Sequence, residues 1–341
     1  MLLAHVQSSI LPASEAMAGA ARARLERNLP AGESLGRLTS IAARLAGARH
    51  SPRPSLARRT ALVCAADHGV AWPGVDLGAS SPAATALGLI AAGEAAVSAA
   101  ARTADAHLVL VDAGVRGGDK LDLGRGVMGF RLADGTDSIA RGPAMSEETA
   151  RQGIETGIAL AVALGDAGLD LLALGQVAPG GEIASGALIA ALTGASPAAI
   201  GGCDADAQAI AGALAANAGA LSPGDPEHTD PMRALAALGG LEIALQVGAI
   251  LAAASVHVPV VLDDHGTWAA ALVAVRLAPT AAGYLVASHG GASPGYRAGL
   301  RALALEPLFD LGLAHGEGTG ALLAVPLLDA AARVLAELGR A

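Results

Sequence analysis

The chain has 341 residues, of which 53% are hydrophobic, 16% charged and only 2% aromatic, and its net charge is −9. With Lys120 as its only lysine, that balance argues against nucleic acid or an anionic membrane surface as partner. Cys64 and Cys203 are too few for a disulfide framework and lack metal-ligand spacing, so buried thiols in a cytoplasmic protein are expected.

The start, Met-Leu-Leu-Ala-His-Val, lacks the basic flank and apolar stretch of a signal peptide. No apolar run of membrane-span length escapes interruption by Gly, Pro or charge. Residues 12–48 read as two helices joined by the turn-rich segment 28–37, and the Pro- and Arg-rich 50–59 reads as a linker. Short apolar strands then alternate with long Ala-rich helical segments. In order these are strand 61–66, helix 82–104, strand 107–111, helix 146–167 and strand 169–174. There follow helices 182–193, 205–220 and 233–255, strand 258–262, helix 267–277 and strand 283–287. A last apolar helical run extends to about Leu338. Continuous apolar strands separated by helices predict an α/β fold, a parallel sheet covered by helices on both faces.

The strand ends carry the polar residues. Asp67-His68-Gly69 follows the first strand, Asp112-Ala-Gly114 the second, and Gly175-Gln176 the third. Asp263-Asp264-His265-Gly266 and Ser288-His289-Gly290-Gly291 follow the last two. Any one of these could simply cap the next helix. Together, at the carboxyl edge of a parallel sheet, they predict one polar cleft. Near the C-terminus, Leu313-Ala-His-Gly-Glu317-Gly-Thr-Gly-Ala321 places a lone carboxylate between glycines ahead of the final helix. Such an acid either favours a helix N-terminus or is presented to a ligand.

Several motifs occur together in a familiar order and spacing: Ser34-Leu-Gly-Arg37, Asp67-His-Gly-Val70, Gly142-Pro-Ala-Met-Ser146 and Gly239-Gly240, then Pro259-Val-Val-Leu-Asp263, Ser288-His289 and Gly316-Glu-Gly-Thr-Gly-Ala321. Over almost its whole length the chain resembles the nicotinate-nucleotide:dimethylbenzimidazole phosphoribosyltransferase family of cobalamin lower-ligand assembly. The resemblance implies a Rossmann-like large domain over 59–305 and a small helical domain from both chain ends, 1–58 and 306–341. It implies a homodimer too, or pairing with a paralogue, and no cofactor or metal. In that family a benzimidazole-like base attacks the anomeric carbon of nicotinate mononucleotide or a related donor, giving an α-riboside. Glu317 matches the family's proposed base, which accepts the N–H proton. The resemblance places Asp67, His68, Gln176, Gly201, Gly202, Asp263, Ser288, His289, Gly291, Gly316 and Gly318 around the nucleotide and aromatic base.

The chain also departs from the family pattern. Gly-Glu followed by Asn-Thr-Thr becomes Gly175-Gln176-Val-Ala-Pro-Gly-Gly181-Glu182, so a second carboxylate is lost and Glu182 stands where an anion would sit. The family's serine and glutamate after Ser288-His289 become Gly291 and Ser293. The serine and glutamine expected of the base pocket fall near Gly78 and Ala86. Glycines remain at Gly201-Gly202, but the family's downstream lysine has no counterpart: no Lys or Arg occurs between Gln152 and Arg233. These changes predict altered substrates or a non-catalytic partner subunit. A separate reading of Asp67, His68, Asp263, Asp264, His265 and His289 is a metal-dependent hydrolase.

Overall fold

The computed structural model describes residues 1–71 and 81–338. At its centre lies a six-stranded sheet in the order β3-β2-β1-β4-β5-β6, with every pairing parallel. The strands are β1 (Arg59–Ala66), β2 (His107–Gly114), β3 (Val127–Gly129), β4 (Leu171–Val177), β5 (Val260–Leu262) and β6 (Leu285–Ala287). Their side chains alternate between two apolar layers. Leu62, Cys64, Val109, Val111, Leu172 and Leu174 enter one, and Ala61, Val63, Ala65, Leu110, Leu171 and Ala173 the other. Burial on both faces is why these strands read as unbroken apolar runs. β3 was not predicted: it is three residues long, at the sheet edge, with Met128 exposed, and it carries no apolar signature.

Three helices precede the sheet: α1 (Leu2–Ser9), α2 (Glu15–Arg27) and α3 (Arg37–Ala48). The predicted helix 82–104 is two, α4 (Pro82–Ala92) and α5 (Ala96–Thr103), because Gly93 adopts φ 81° and closes the first. After α6 (Glu147–Asp166) come α7 (Gly181–Thr193), the short α8 (Pro197–Ile200) and α9 (Asp204–Ala216). The predicted helix 233–255 is likewise divided by Gly239-Gly240 into α10 (Pro231–Leu238) and α11 (Leu241–Ser255). The chain ends with α12 (His265–Leu277), the unpredicted α13 (Pro294–Ala302) and α14 (Thr319–Glu337).

α6 and α11 touch through backbone. A Cβ on Gly157 would lie 1.8 Å from the Leu245 carbonyl oxygen, and one on Gly248 would lie 1.9 Å from that of Ile154. Glycine at both positions lets α11, whose residues from Leu241 to Ala254 are all buried, pack under the sheet.

On the opposite face α2 and α3 meet the C-terminal helix, whereas α1 packs against α6 and α11. α14 packs against α2, α3 and α5, and Arg24 donates to the carbonyls of Leu335 and Leu338. Two stretches, Pro82–Thr103 and Thr319–Glu337, have the length and hydropathy of a membrane span. The first is broken at Gly93, and the second contains Pro326 and buries Ala321, Leu322, Val325 and Leu328 in the core. The linker preceding β1 is tied down at Asp170, whose carboxylate accepts from Arg49, from the Arg58 guanidinium and from the Arg58 backbone N–H. Burial acts to raise the Asp170 pKa, but those arginine contacts outweigh it and hold it below the usual carboxyl value.

Candidate active site

Because all strands are parallel, their carboxyl ends open on one edge, and the strand order reverses direction between β1 and β4. At that edge lies a cleft of about 600 Å³, a size suited to a nucleoside-sized ligand. Its wall includes Gln176 from the end of β4, Asp264 and His265 from the start of α12, and Gly316-Glu317 from the turn before α14. Gly201 and Gly202 border it ahead of α9, and Glu182 and Asp206 come from the first turns of α7 and α9.

The Glu317 turn is held by the sheet beneath it. Glu317 itself has φ 66°, a left-handed conformation unfavourable for a side chain-bearing residue. Three contacts keep it there. Asp263 is fully buried, and its Oδ2 accepts the Gly318 N–H at 2.8 Å while its Oδ1 accepts the Ala321 N–H at 2.9 Å. His289, also fully buried, packs its Nε2 at 3.2 Å from the same Oδ1. From below, Gly175 of β4 presses against the turn, so a Cβ there would lie 2.2 Å from the Glu317 carbonyl carbon. The result is a carboxylate 18% exposed at the cleft wall, with His315 Nε2 3.3 Å from its Oε2.

The structure separates the sequence-predicted residues into groups. Gln176, Gly201, Gly202, Gly316 and Glu317 line the cleft. Asp263, His289 and Gly318 stand behind it, holding the Glu317 turn. Ser288 faces backbone, donating to the Leu262 carbonyl at 2.6 Å. Gly291, at φ 64°, lies under the Tyr296 ring, where a Cβ would come within 2.3 Å. Asp67 is fully buried, its Oδ2 accepting from Ser81 Oγ and the Arg116 N–H.

His68 is fully buried, 2.8 Å from Glu242 Oε1. Burial opposes its charge, but the Glu242 carboxylate outweighs burial and its pKa is raised. The six side chains of the metal reading therefore do not converge: His68 pairs with Glu242, His289 with Asp263, and His265 with the Tyr296 ring. Among the described residues no three of His, Cys, Asp and Glu form a metal-holding cluster. Of the two base-pocket positions, Ala86 lines the cleft and Gly78 lies outside the described residues.

Asp206, Tyr296 and Glu242 were not singled out from sequence. Asp206 had a signal in the acidic pair Asp204-Ala-Asp206 at a glycine turn, and Glu242 as a lone acid entering an apolar helix. Tyr296 had none.

Asp264 is buried beside Asp263, and its Oδ1 caps α12 by accepting the Thr267 N–H. Burial, and then the Asp263 charge, hold its carboxyl well above the ordinary range. A raised folded pKa favours folding below the ordinary carboxyl pKa and loses that contribution as pH rises through the folded value. Asp264→Asn keeps the capping oxygen and removes the loss. The variant is expected to melt roughly 2–4 °C above wild type at pH 8 and level with it near pH 4. Equal melting temperatures at both pH values would show that Asp264 is not held protonated.

A doubly wound parallel sheet with a carboxylate-centred cleft at its carboxyl edge defines an α/β enzyme that handles nucleotides. A family described as phosphoribosyltransferase matches residues 10–341. The chain is 38% identical over 339 residues to the nicotinate-nucleotide–dimethylbenzimidazole phosphoribosyltransferase of Roseiflexus sp. (strain RS-1), covering 99% of this chain and 96% of the relative. The Chloroflexus aurantiacus (strain ATCC 29366 / DSM 635 / J-10-fl) protein of the same name is 39% identical over 338 residues, 98% of this chain and 96% of its own length. The crystal structure of the Thermus thermophilus enzyme of that name matches with TM-score 0.85 at 35% identity, over 95% of this chain and 96% of that one. The chain belongs to the nicotinate-nucleotide–dimethylbenzimidazole phosphoribosyltransferase family.

Proposed function

We propose that the protein transfers a ribosyl or phosphoribosyl group from a nicotinate nucleotide or related pyridinium donor to a benzimidazole-like base, as its relatives' names describe. The observation that carries this reading is Glu317, held in a left-handed turn at the cleft wall by Asp263 and Gly175. One nitrogen of the base forms the new bond to the anomeric carbon as the bond to the pyridinium nitrogen breaks. Nicotinate departs with a neutral ring and needs no general acid. The proton from the other nitrogen passes to the Glu317 carboxylate, and His315 beside it, half exposed, gives that proton a route to water. Attack from the opposite face inverts the anomeric carbon and yields an α-riboside. The same carboxylate stabilises positive charge developing on the sugar.

The role of the remaining residues is part of the proposal. Gln176, Gly201 and Gly202 contact the donor, and Asp263, His289 and Gly318 position Glu317. The division into 1–58 with 306–341 against 59–305 is supported by the packing of α2 and α3 on α14. A homodimer rests on the family resemblance, and a cytoplasmic location on the composition and cysteine usage of the sequence.

The test is incubation with dimethylbenzimidazole and either nicotinate mononucleotide or nicotinate riboside, with mass-spectrometric detection of the α-riboside or its phosphate. Product with release of nicotinate is expected. No product with either donor would remove the transferase reading.

A further inference from the structure

A nucleotide donor brings a phosphate into a cleft whose described lining contains no Lys or Arg. Its histidines do not supply a cation either. Burial pushes the pKa of His265 down to about 4, and His315 is already beside Glu317. Hydrogen-bond donors must therefore hold the phosphate in place of a countercharge.

Tyr296, near the start of α13, is the one Phe, Trp or Tyr among the described residues that lines the cleft. Its side chain is 5% exposed, and its hydroxyl has no hydrogen-bond partner among the described residues. Nor is that hydroxyl one of the enclosed polar atoms, unlike His265 Nε2 and Gln176 Oε1, so it opens on the cleft. A hydroxyl so little hydrated and left unpaired is costly, and a ligand oxygen accepting from it removes the cost.

The ring is fixed. Gly291, at φ 64°, approaches it so closely that a Cβ there would collide with it. The His265 and His289 rings lie 4.6 Å and 5.2 Å from it, centre to centre. A hydroxyl on so constrained a ring loses little freedom when a ligand binds. Burial first, and then Asp264, Asp263 and Glu182, push the phenol above its ordinary pKa, so it stays a neutral O–H donor.

Two contacts locate Tyr296 along the cleft. On one side, His265 follows Asp264, whose Oδ2 stands where a Cβ on Gly316 would be, beside Glu317. On the other, a Cβ on Gly295 would lie 3.4 Å from Ile200 Cγ2, and Ile200 leads into Gly201-Gly202. Tyr296 therefore stands between the Glu317 turn and the glycine turn ahead of α9.

We infer that the Tyr296 hydroxyl binds the donor's 5′-phosphate, donating to a phosphate oxygen beside the Gly201-Gly202 turn. The inference rests on the transferase reading and adds to it the side chain that recognises the phosphate. A donor whose anomeric carbon reacts at Glu317 carries its phosphate past Tyr296 toward that turn. Glu182 and Asp206, in the first turns of α7 and α9, repel the phosphate charge, which leaves recognition to directed hydrogen bonds.

The experiment compares wild type with Tyr296→Phe, which keeps the packed ring and removes only the O–H. Calorimetric titration of the purified full chain with nicotinate mononucleotide and with nicotinate riboside is paired with steady-state kinetics and the product assay. Mononucleotide binding is expected to weaken about tenfold or more in the variant, the loss of a hydrogen bond to a charged group. Riboside binding should be unchanged, and KM for the mononucleotide should rise with kcat altered far less. Equal weakening of both ligands would place the hydroxyl on the riboside part and overturn the inference. So would unchanged mononucleotide binding in the variant, a fall in kcat alone, or a wild-type protein that does not bind the mononucleotide. Mononucleotide binding that depends on Tyr296 without α-riboside product leaves the inference standing and removes the transferase reading. Product formed with a Tyr296→Phe protein that binds the mononucleotide as wild type does the reverse.

Discussion

Glu317→Gln is expected to lower turnover by about 10²- to 10⁴-fold, the usual contribution of a positioned proton acceptor. The amide keeps the shape of the side chain but cannot take the proton from the attacking base. Folding should be nearly unaffected, because the left-handed turn is secured by backbone N–H groups of Gly318 and Ala321 rather than by the Glu317 carboxylate. Steady-state kinetics beside a denaturant titration separates the two effects. Turnover close to wild type in a folded Glu317→Gln protein would take the chemistry away from this residue.

The second large effect is expected at Asp263. Its buried carboxylate joins three elements: β5, from which it projects, the start of α14, and His289 after β6. Asp263→Ala leaves the Gly318 and Ala321 N–H groups and the His289 ring without their shared acceptor. Breaking a buried charged network of this kind costs about 3–5 kcal/mol, which urea unfolding would register. Asp263→Asn is the gentler probe, since it keeps an acceptor oxygen but turns an NH₂ group toward an existing donor. The Glu317 turn then shifts, and a displacement on the order of 1 Å lowers kcat by roughly 10²-fold with KM changed far less. An unaltered kcat in folded Asp263→Asn would mean that Glu317 does not depend on this anchor.

Much of the fold was legible because the physics is local. A strand buried on both faces must be apolar along its length, and β1, β2 and β4 announce themselves in that way. Helix breaks at Gly93 and at Gly239-Gly240 were written in the sequence too, yet the long alanine runs around them concealed that one helix was two. β3 could not be seen, since an exposed three-residue edge strand is defined by its neighbour and not by its own side chains.

The site divides along the same line. Glu317 stood out because glycines on both sides signal a backbone that makes close contact, and the structure has that contact at Gly175. His68 and Asp67 read as strand-end polar residues facing a ligand. Each instead found a partner inside the protein: Glu242 is 174 positions away from His68, and Ser81 lies across the β1–α4 connection from Asp67. No spacing rule reaches such pairs.

By itself, then, the sequence determined the class of fold, the carboxyl-edge location of the polar residues and the presence of a glycine-flanked acid, Glu317, ahead of the final helix, because hydrophobic period and glycine placement act over a few residues. Only the tertiary structure decided which of the strand-end residues face the cleft and which brace it. Asp263 and Asp264 are chain neighbours with the same side chain, yet one anchors the Glu317 turn and the other lines the cleft beside Gly316. That distinction arises from the direction in which each side chain leaves the end of β5. It is fixed when α14 docks its N–H groups onto Asp263, a contact made across 55 residues of intervening chain for Gly318 and 58 for Ala321.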